Sequence, residues 1–502
     1  MGPGIGTFDI LLLVGAVLIL FLLLGPLLTI PLHIPLNYNE GWNAYLDQRA
    51  VVAGAGPLYP AANSLVFNNY PPLSFYLVGA IGRYVVGDMI VAGRIVAITS
   101  LLASAALLGV CVRMLGGRLR GSLAASGLLL LYSSTFFRDY VAMDDPQWLA
   151  HALMLGGLAV LLRGQATRYP ASHVATAAAL MVAGGFVKHN LVGLPLAVTI
   201  WLAVIQPRAA TVWLAASIGG VGLGLVATQM LFGHAAFVDI LAHHRVFRAG
   251  RVIKALQRLI PLLPMMLIAG LAFRRRLQGD QSMLLAALFV VISLMTGIVQ
   301  RLGEGVYYNA HFETMLALCL TTGLLISRIP AAGLPFGSRA IGPAALLGFA
   351  VIPIVVMMPW QLRRAWVDID DRIARARSWQ PTIARIAASP GVAGCESLSL
   401  CFWAHKPFTV DVFNLDQSIL MGASIMRFDG LASTHAFGVF EYSGDSFSGM
   451  DAVGNPERDP LLLDLQAHGY TPIAKGPGEV LLLGASNTGQ RRRNRTWTDS
   501  AR

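Results

Sequence analysis

The 502-residue chain is 55% hydrophobic and only 13% charged, whereas a water-soluble domain carries about 25% charged residues, so an ordinary soluble fold is excluded. The net charge of +11 is no argument for nucleic acid, because many of the basic residues sit in short loops between apolar runs, where orientation in a membrane accounts for them. Those runs are long and continuous, as helices crossing a hydrocarbon core of about 30 Å must be; the alternating segments of about ten residues that mark a barrel are not evident.

The first run, 10–30, has no basic leader and no small-residue cleavage site, so it is expected to stay as an anchor. Further spans are expected at 90–112, 122–137, 148–162, 173–187, 191–205, 211–232, 259–273, 283–299, 312–326 and 341–358, about 11 transmembrane helices in all. Between the first two lies 70–86, YPPLSFYLVGAIGRYVV. It opens on Pro71 and Pro72, carries Arg83 and is slightly short, so it is expected to lie on the membrane as an interfacial helix.

With that placement one set of loops holds Arg113, Arg118 and Arg120; Arg163 and Arg168; Arg208; Arg274, Arg275 and Arg276; and Arg328 and Arg339, with Asp280 as their only acid. These are cytoplasmic by the positive-inside rule. The opposite loops hold Glu40, Asp47, Asp88, Asp139, Asp144, Asp145, Asp239 and Glu304. One loop disagrees: 233–258 falls outside yet contains Arg245, Arg248, Arg251, Lys254 and Arg258.

After Trp360 the composition becomes that of a water-soluble segment. An exit helix is expected at 363–377. Strand-like runs such as PFTVDVF and EVLLLG, with a helical pattern at 460–468, then suggest a small mixed α/β domain outside the membrane. The chain thus divides into a transmembrane part (1–360), an extracytoplasmic α/β domain (361–488) and a basic tail (489–502) expected to be disordered. Cys111 and Cys319 fall in apolar helices; Cys395 and Cys401 are close enough to pair in an oxidising compartment.

Candidate chemistry gathers in the outside loops. Glu40 follows the first span, with Asp47 two helical turns on and Trp42 and Tyr45 between them. Trp and Tyr fit an interfacial belt and Asp47 a solvated charge, whereas a partly desolvated Glu40 could act as a base. The loop FFRDYVAMDDPQWLAH puts Asp144 and Asp145 before Pro146 at a span entrance. One of them could cap the helix or face Glu40 across an outside cavity. The turn GGFVKHNLVG lifts Lys188, His189 and Asn190 to the same surface, where Lys188 could snorkel or hold a phosphate. The basic run around Arg245 and Arg248 asks for a reason, and anion binding is the simplest. The adjacent His243 and His244 would not share a helix face, so a metal pair there is not expected. The segment QRLGEGVYYNAHFETM adds Arg301, Glu304, Tyr308, Asn309 and His311. There is no P-loop, no GxGxxG after a strand, no HExxH and no zinc-spaced cysteine pair.

The ordered series over the first 330 residues resembles the GT-C membrane glycosyltransferases, particularly those related to glycosyltransferase family 39 and the lipid A aminoarabinose transferases. It comprises Asn39-Glu40 after the first span, GPLYP with Tyr59, YPPLSFYL from Tyr70, GDMIVAGRIVAITSLLA with Arg94, the basic turn RMLGGRLRG, MDDPQWL, VKHNLVGLPLA and GEGVYYNAHFE, followed by a trailing extracytoplasmic domain. Two departures stand out. Many relatives have Asp-Glu where this chain has Asn39-Glu40. The aminoarabinose transferases carry a Lys before the Pro-Pro where this chain has Tyr70, so the donor phosphate contact must come from elsewhere, with Arg83, Lys188 or the arginines of 233–258 as candidates.

The resemblance implies an all-α polytopic GT-C-like fold and a transferase taking a sugar from a polyprenyl-phosphate donor on the outer face of a bacterial inner membrane. The acceptor would be an envelope glycan, lipid or protein, with Glu40 as base and Asp144 or Asp145 assisting. A divalent metal is possible, since adjacent carboxylates permit one. Tyr59, Tyr70, Arg83, Lys188, His189, Arg245, Arg248, Asn309 and His311 are the expected substrate contacts. The alternative is a polytopic transporter or lipid flippase, which would carry charges within broken spans near mid-membrane; here they lie mainly at span ends.

Overall fold

Each expected apolar span is helical in the computed structural model, which describes residues 6–61, 64–241, 246–276, 279–330, 334–336, 339–443, 460–477 and 480–485. Arg245, His243, His244 and the tail 489–502 lie outside these residues. In chain order the first helices are α1 (Thr7–Thr29), α2 (Tyr38–Val51), α3 (Leu73–Ile81), α4 (Met89–Met114), α5 (Leu119–Phe136), α6 (Gln147–Arg163), α7 (Ala171–Val187) and α8 (Gly193–Ile205). Then come α9 (Pro207–Phe232), α10 (His234–Leu241), α11 (Arg251–Gln257), α12 (Leu263–Arg276), α13 (Gln281–Arg301) and α14 (Phe312–Arg328). A hairpin of β1 (Leu334–Phe336) and β2 (Arg339–Ile341) precedes α15 (Pro343–Ala350), α16 (Ile352–Asp370) and α17 (Arg372–Ala388). The remainder is β3 (Val392–Cys395), α18 (Leu398–Trp403), α19 (Val412–Leu420), α20 (Met426–Ser433), β4 (Phe437–Ser443), α21 (Pro460–Ala467), β5 (Tyr470–Lys475) and β6 (Val480–Ala485).

Among the described residues, 7 helices are long and apolar enough to cross a membrane, or up to 8 if the pair α15–α16, bent by 48°, is one span. Shorter apolar helices include α7, α8 and the stretch Leu73–Val86, whose last turn is a π-helix ended by Gly87 at φ 86°. Length and hydropathy alone make these elements, because lipid leaves the backbone no partner but itself. The chain is a polytopic membrane protein.

Two compact units emerge. The helical unit comprises Met1–Pro31, Tyr70–His234 and Phe247–Arg372. Its inner helix is α14, buried from Phe312 to Ser327 against α5, α12 and α13. Small residues set the spacing: a Cβ at Gly121 or Gly323 would overlap the backbone of the facing helix. On the basic side Asp280, the exception noted above, caps α13 by accepting from Ser282 and Met283 N–H at 3.0 and 3.1 Å, and it pairs with Arg328. An apolar cavity of about 340 Å³ lies among α1, α5 and α15–α16, bordered by Leu12, Gly15, Gly127, Leu128 and Ile354.

The second unit comprises Leu32–Asn69, Ala235–Val246 and Ile373–Arg502. The first outside loop therefore packs with the C-terminal residues. Its sheet runs β3-β4-β6-β5, with β3 parallel to β4 and the other pairs antiparallel. Val410, Leu415, Phe428, Phe437, Phe440, Leu461 and Leu465 form its core, against which Leu65 and Phe67 pack. EVLLLG contributes β6, but PFTVDVF is not a strand: Asp411 accepts from Asn414 N–H at 3.1 Å and caps α19, so a strand-like alternation yields to a helix start. Cys395 and Cys401 form a disulfide.

Candidate active site

In the helical unit the polar residues collect at the end of the bundle where α6, α8 and α14 begin. The loop before α6 carries Asp144 and Asp145, both buried. Asp145 accepts from Gln147 N–H at 2.8 Å, starting the helix, and receives Lys188 Nζ at 3.0 Å. The Lys188 and Asp145 side chains are 1% and 2% exposed, so Lys188 does not snorkel. Its Nζ lies 4.8 Å from the centre of the Tyr70 ring. Burial acts to lower its proton affinity, but the Asp145 carboxylate and the Tyr70 side chain outweigh that, and the net shift is upward. The Tyr70 ring thus has a cation over it, supplied by the residue that follows α7.

Asp144 packs on α4: a Cβ at Gly93 would overlap its carboxylate. The next residue, Arg94, is fully buried and donates to the carbonyls of Thr29 and Ile30, both at 3.2 Å, closing the end of α1. The adjacent residues Gly93 and Arg94 therefore fix one acid and one helix terminus (no sequence pattern announces this).

Gln147 and His151, one turn apart on α6, are joined Nε2 to Nε2 at 2.9 Å, and Gln147 reaches Asn309 at 3.4 Å. His311 is wholly buried beside Gly297. Glu313 is buried and both its oxygens accept from the first N–H groups of α8, Gly193 and Leu194, each at 3.0 Å. Gln300 exchanges hydrogen bonds of 2.8 Å with the Asn190 amide and carbonyl. The turn bearing Lys188 is thereby clamped by α13 and α14, while His189 within it is exposed. Gln147, His151, Gln300 and Glu313 were not singled out from sequence. The i, i+4 spacing of Gln147 and His151 on one helix face could have shown that pair.

The basic run has partners in the protein. Arg248 Nε meets Glu304 at 3.0 Å, its N–H donates to the Leu302 carbonyl, and Phe247 bridges Gly303. The Arg258 guanidinium lies 4.3 Å over the Tyr308 ring. Arg83 is exposed and sits over Tyr84 at 5.2 Å.

The second unit holds Glu40, Asp47 and Tyr59, all buried. Glu40 stands in the first turn of α2 and accepts from Leu36 N–H at 3.2 Å. Glu40, Asn43 and Asp47 share one helix face by their spacing. A Cβ at Gly41 would overlap the backbone of Leu398 and Ser399, so only glycine lets α2 approach α18 here. Trp42 and Tyr45 are not belt residues. Trp42 Nε1 donates to Asp411 at 2.9 Å and to the Phe67 carbonyl at 3.1 Å; Tyr45 donates to the Lys406 carbonyl at 2.7 Å and stacks on Phe408. Nor is Asp47 a solvated charge: burial pushes its proton affinity well above the usual carboxylate range. The interfacial reading failed because the covering surface lies some 360 residues further along the chain. Among the described residues, neither Glu40 nor Asp144 belongs to a cluster of three possible metal ligands.

No protein-family model matches the sequence, and no curated protein sequence does. Solved structures do match. The crystal structure of ArnT from Cupriavidus metallidurans bound to undecaprenyl phosphate is similar at TM-score 0.58 and 14% identity, covering 94% of this chain and 98% of that one. Its apo form is similar at TM-score 0.59 and 13% identity, covering 89% and 93%. Over nearly its whole length, therefore, the chain has the GT-C fold.

Proposed function

We propose that this protein is an integral membrane glycosyltransferase that moves a sugar from a polyprenyl-phosphate donor to an envelope glycan, lipid or protein on the outer face of the membrane. The observation that carries the reading is the end-to-end likeness to ArnT, a protein crystallised with undecaprenyl phosphate. The chemistry of the buried groups supports it. Transfer from such a donor requires a base for the acceptor hydroxyl and cations for the leaving phosphate. In the proposed step Glu40 takes the hydroxyl proton as the oxygen attacks the anomeric carbon. The bond from that carbon to the phosphate oxygen breaks, and the polyprenyl phosphate leaves with the electron pair.

Asp144 is assigned the second acidic role, orienting the acceptor. Lys188, held over Tyr70, is assigned to the phosphate, with Arg248 and Arg258 of the basic run as further cations. Asp145 fixes Lys188 and the start of α6. A bacterial inner membrane with the C-terminal unit outside suits the Cys395–Cys401 disulfide, which an oxidising compartment preserves.

The test is transfer from a radiolabelled polyprenyl-phosphate sugar in proteoliposomes, wild type against Glu40→Gln. Loss of a general base costs about 10²–10⁴-fold, so the variant should be nearly inactive at normal expression and thermal stability. Full activity in Glu40→Gln would remove the base assignment.

A further inference from the structure

The geometry points to a divalent-cation site in the C-terminal unit, built from Asp429 of α20 and from Asp464 and His468 at the end of α21. We infer that it takes one zinc-class ion and clips the two helices together. The residues lie outside the groups assigned to transfer, and the inference does not rest on that reading.

Asp464 and His468 are four apart, so both project from one face of α21, and α20 brings Asp429 against them. His468 Nε2 stands 2.8 Å from Asp429 Oδ1 and 3.7 Å from Asp464 Oδ1. One ring nitrogen therefore faces two carboxylates, and a single N–H can be aimed at only one of them. Asp464 Oδ2 is a buried atom with no hydrogen-bond partner among the described residues. Its side chain is 14% exposed.

A cation in place of that one proton resolves the mismatch. Ligand atoms about 2.0–2.2 Å from a tetrahedral zinc stand about 3.3–3.5 Å apart, which falls between the two distances from His468 Nε2. All three ligand atoms lie within 4.8 Å of one another, so closure needs only side-chain rotation. One imidazole and two carboxylates suit Zn²⁺ rather than a hard cation such as Ca²⁺, which seeks six or more oxygens. The three groups are part-exposed, leaving an entry path and a position for water. The ring of His435 lies alongside, its Nε2 at 2.9 Å from the His468 carbonyl, and helps hold the His468 backbone in place.

The test uses the full chain, tag-free and chelator-stripped, in detergent. Zn²⁺ titration is followed by calorimetry, and the melting temperature is read with and without the metal. The wild type should bind one equivalent more than either His468→Gln or Asp464→Asn, and should gain thermal stability on Zn²⁺ addition that both variants lack. All three proteins should melt alike in chelator. If a variant does not fold, Asp429→Asn, at the most exposed of the three ligands, replaces it. Equal zinc uptake by wild type and variants, or no uptake by the wild type, overturns the proposal.

Discussion

A buried carboxylate rests on backbone N–H groups in both units, and in the helical unit charge also meets charge. In that unit Lys188 meets Asp145 at 3.0 Å and Arg138 meets Asp368 at 2.8 Å, while Glu313 accepts from the Gly193 and Leu194 N–H groups at 3.0 Å. In the other unit buried carboxylates lean on the backbone and on neutral donors. Glu441 accepts from Ser397 N–H at 2.8 Å, Glu40 from Leu36 N–H, and Asp411 from Trp42 Nε1 and Asn414 N–H. An ionised group near hydrocarbon is costly without a counter-charge, and a buried carboxylate can also be held by oriented dipoles or by keeping its proton.

The largest break in this contrast should come from Lys188→Met, which strands the Asp145 carboxylate in the helical unit. Loss of one partner of a buried pair costs about 3–5 kcal/mol. Unfolding in detergent should show that loss, and Lys188→Met with Asp145→Asn should recover most of it while remaining inactive in transfer. Recovery of transfer by the double variant would show that the pair is only structural. Gly93→Val is the next largest effect. Its side chain must displace Asp144, at an overpacking cost of about 1–3 kcal/mol, and transfer should fall by more than stability alone accounts for. Trp42→Phe removes the indole donor from Asp411 and should cost about 1–3 kcal/mol, read as a lower melting temperature of the C-terminal unit.

The smallest effect concerns pH. Burial raises the Glu441 carboxyl from 4.5 to about 7, with the Ser397 and Glu396 N–H groups opposing. The folded state therefore holds a proton that the unfolded state has already released. Its contribution to stability is full below about pH 4.5 and is lost as pH rises through about 7. Glu441→Gln should flatten that part of the wild-type melting curve against pH; an unchanged slope would show that Glu441 is not the group responsible.

The spans were legible because hydropathy and length decide them locally. The burial of Asp144, Asp145 and Lys188 near one another was partly legible too, since acids and a Lys at span ends are costly and therefore conspicuous. The partners of α2 were not. Trp42, Tyr45 and Asp47 look interfacial until Asp411, Lys406 and Phe408 cover them. The 407–413 run shows a strand's alternation, and only the cap from Asp411 to Asn414 reveals the helix. Gly93 gives no sign of the carboxylate packed on it. In each case the deciding contact is tertiary or a single cap, which residue periodicity does not encode.

The most direct measurement follows a radiolabelled polyprenyl-phosphate sugar in proteoliposomes containing the purified chain and an envelope extract as acceptor. The account predicts that label leaves the lipid, appears on acceptor and leaves free polyprenyl phosphate behind. An intact donor that has only moved between leaflets would contradict it and make the protein a flippase.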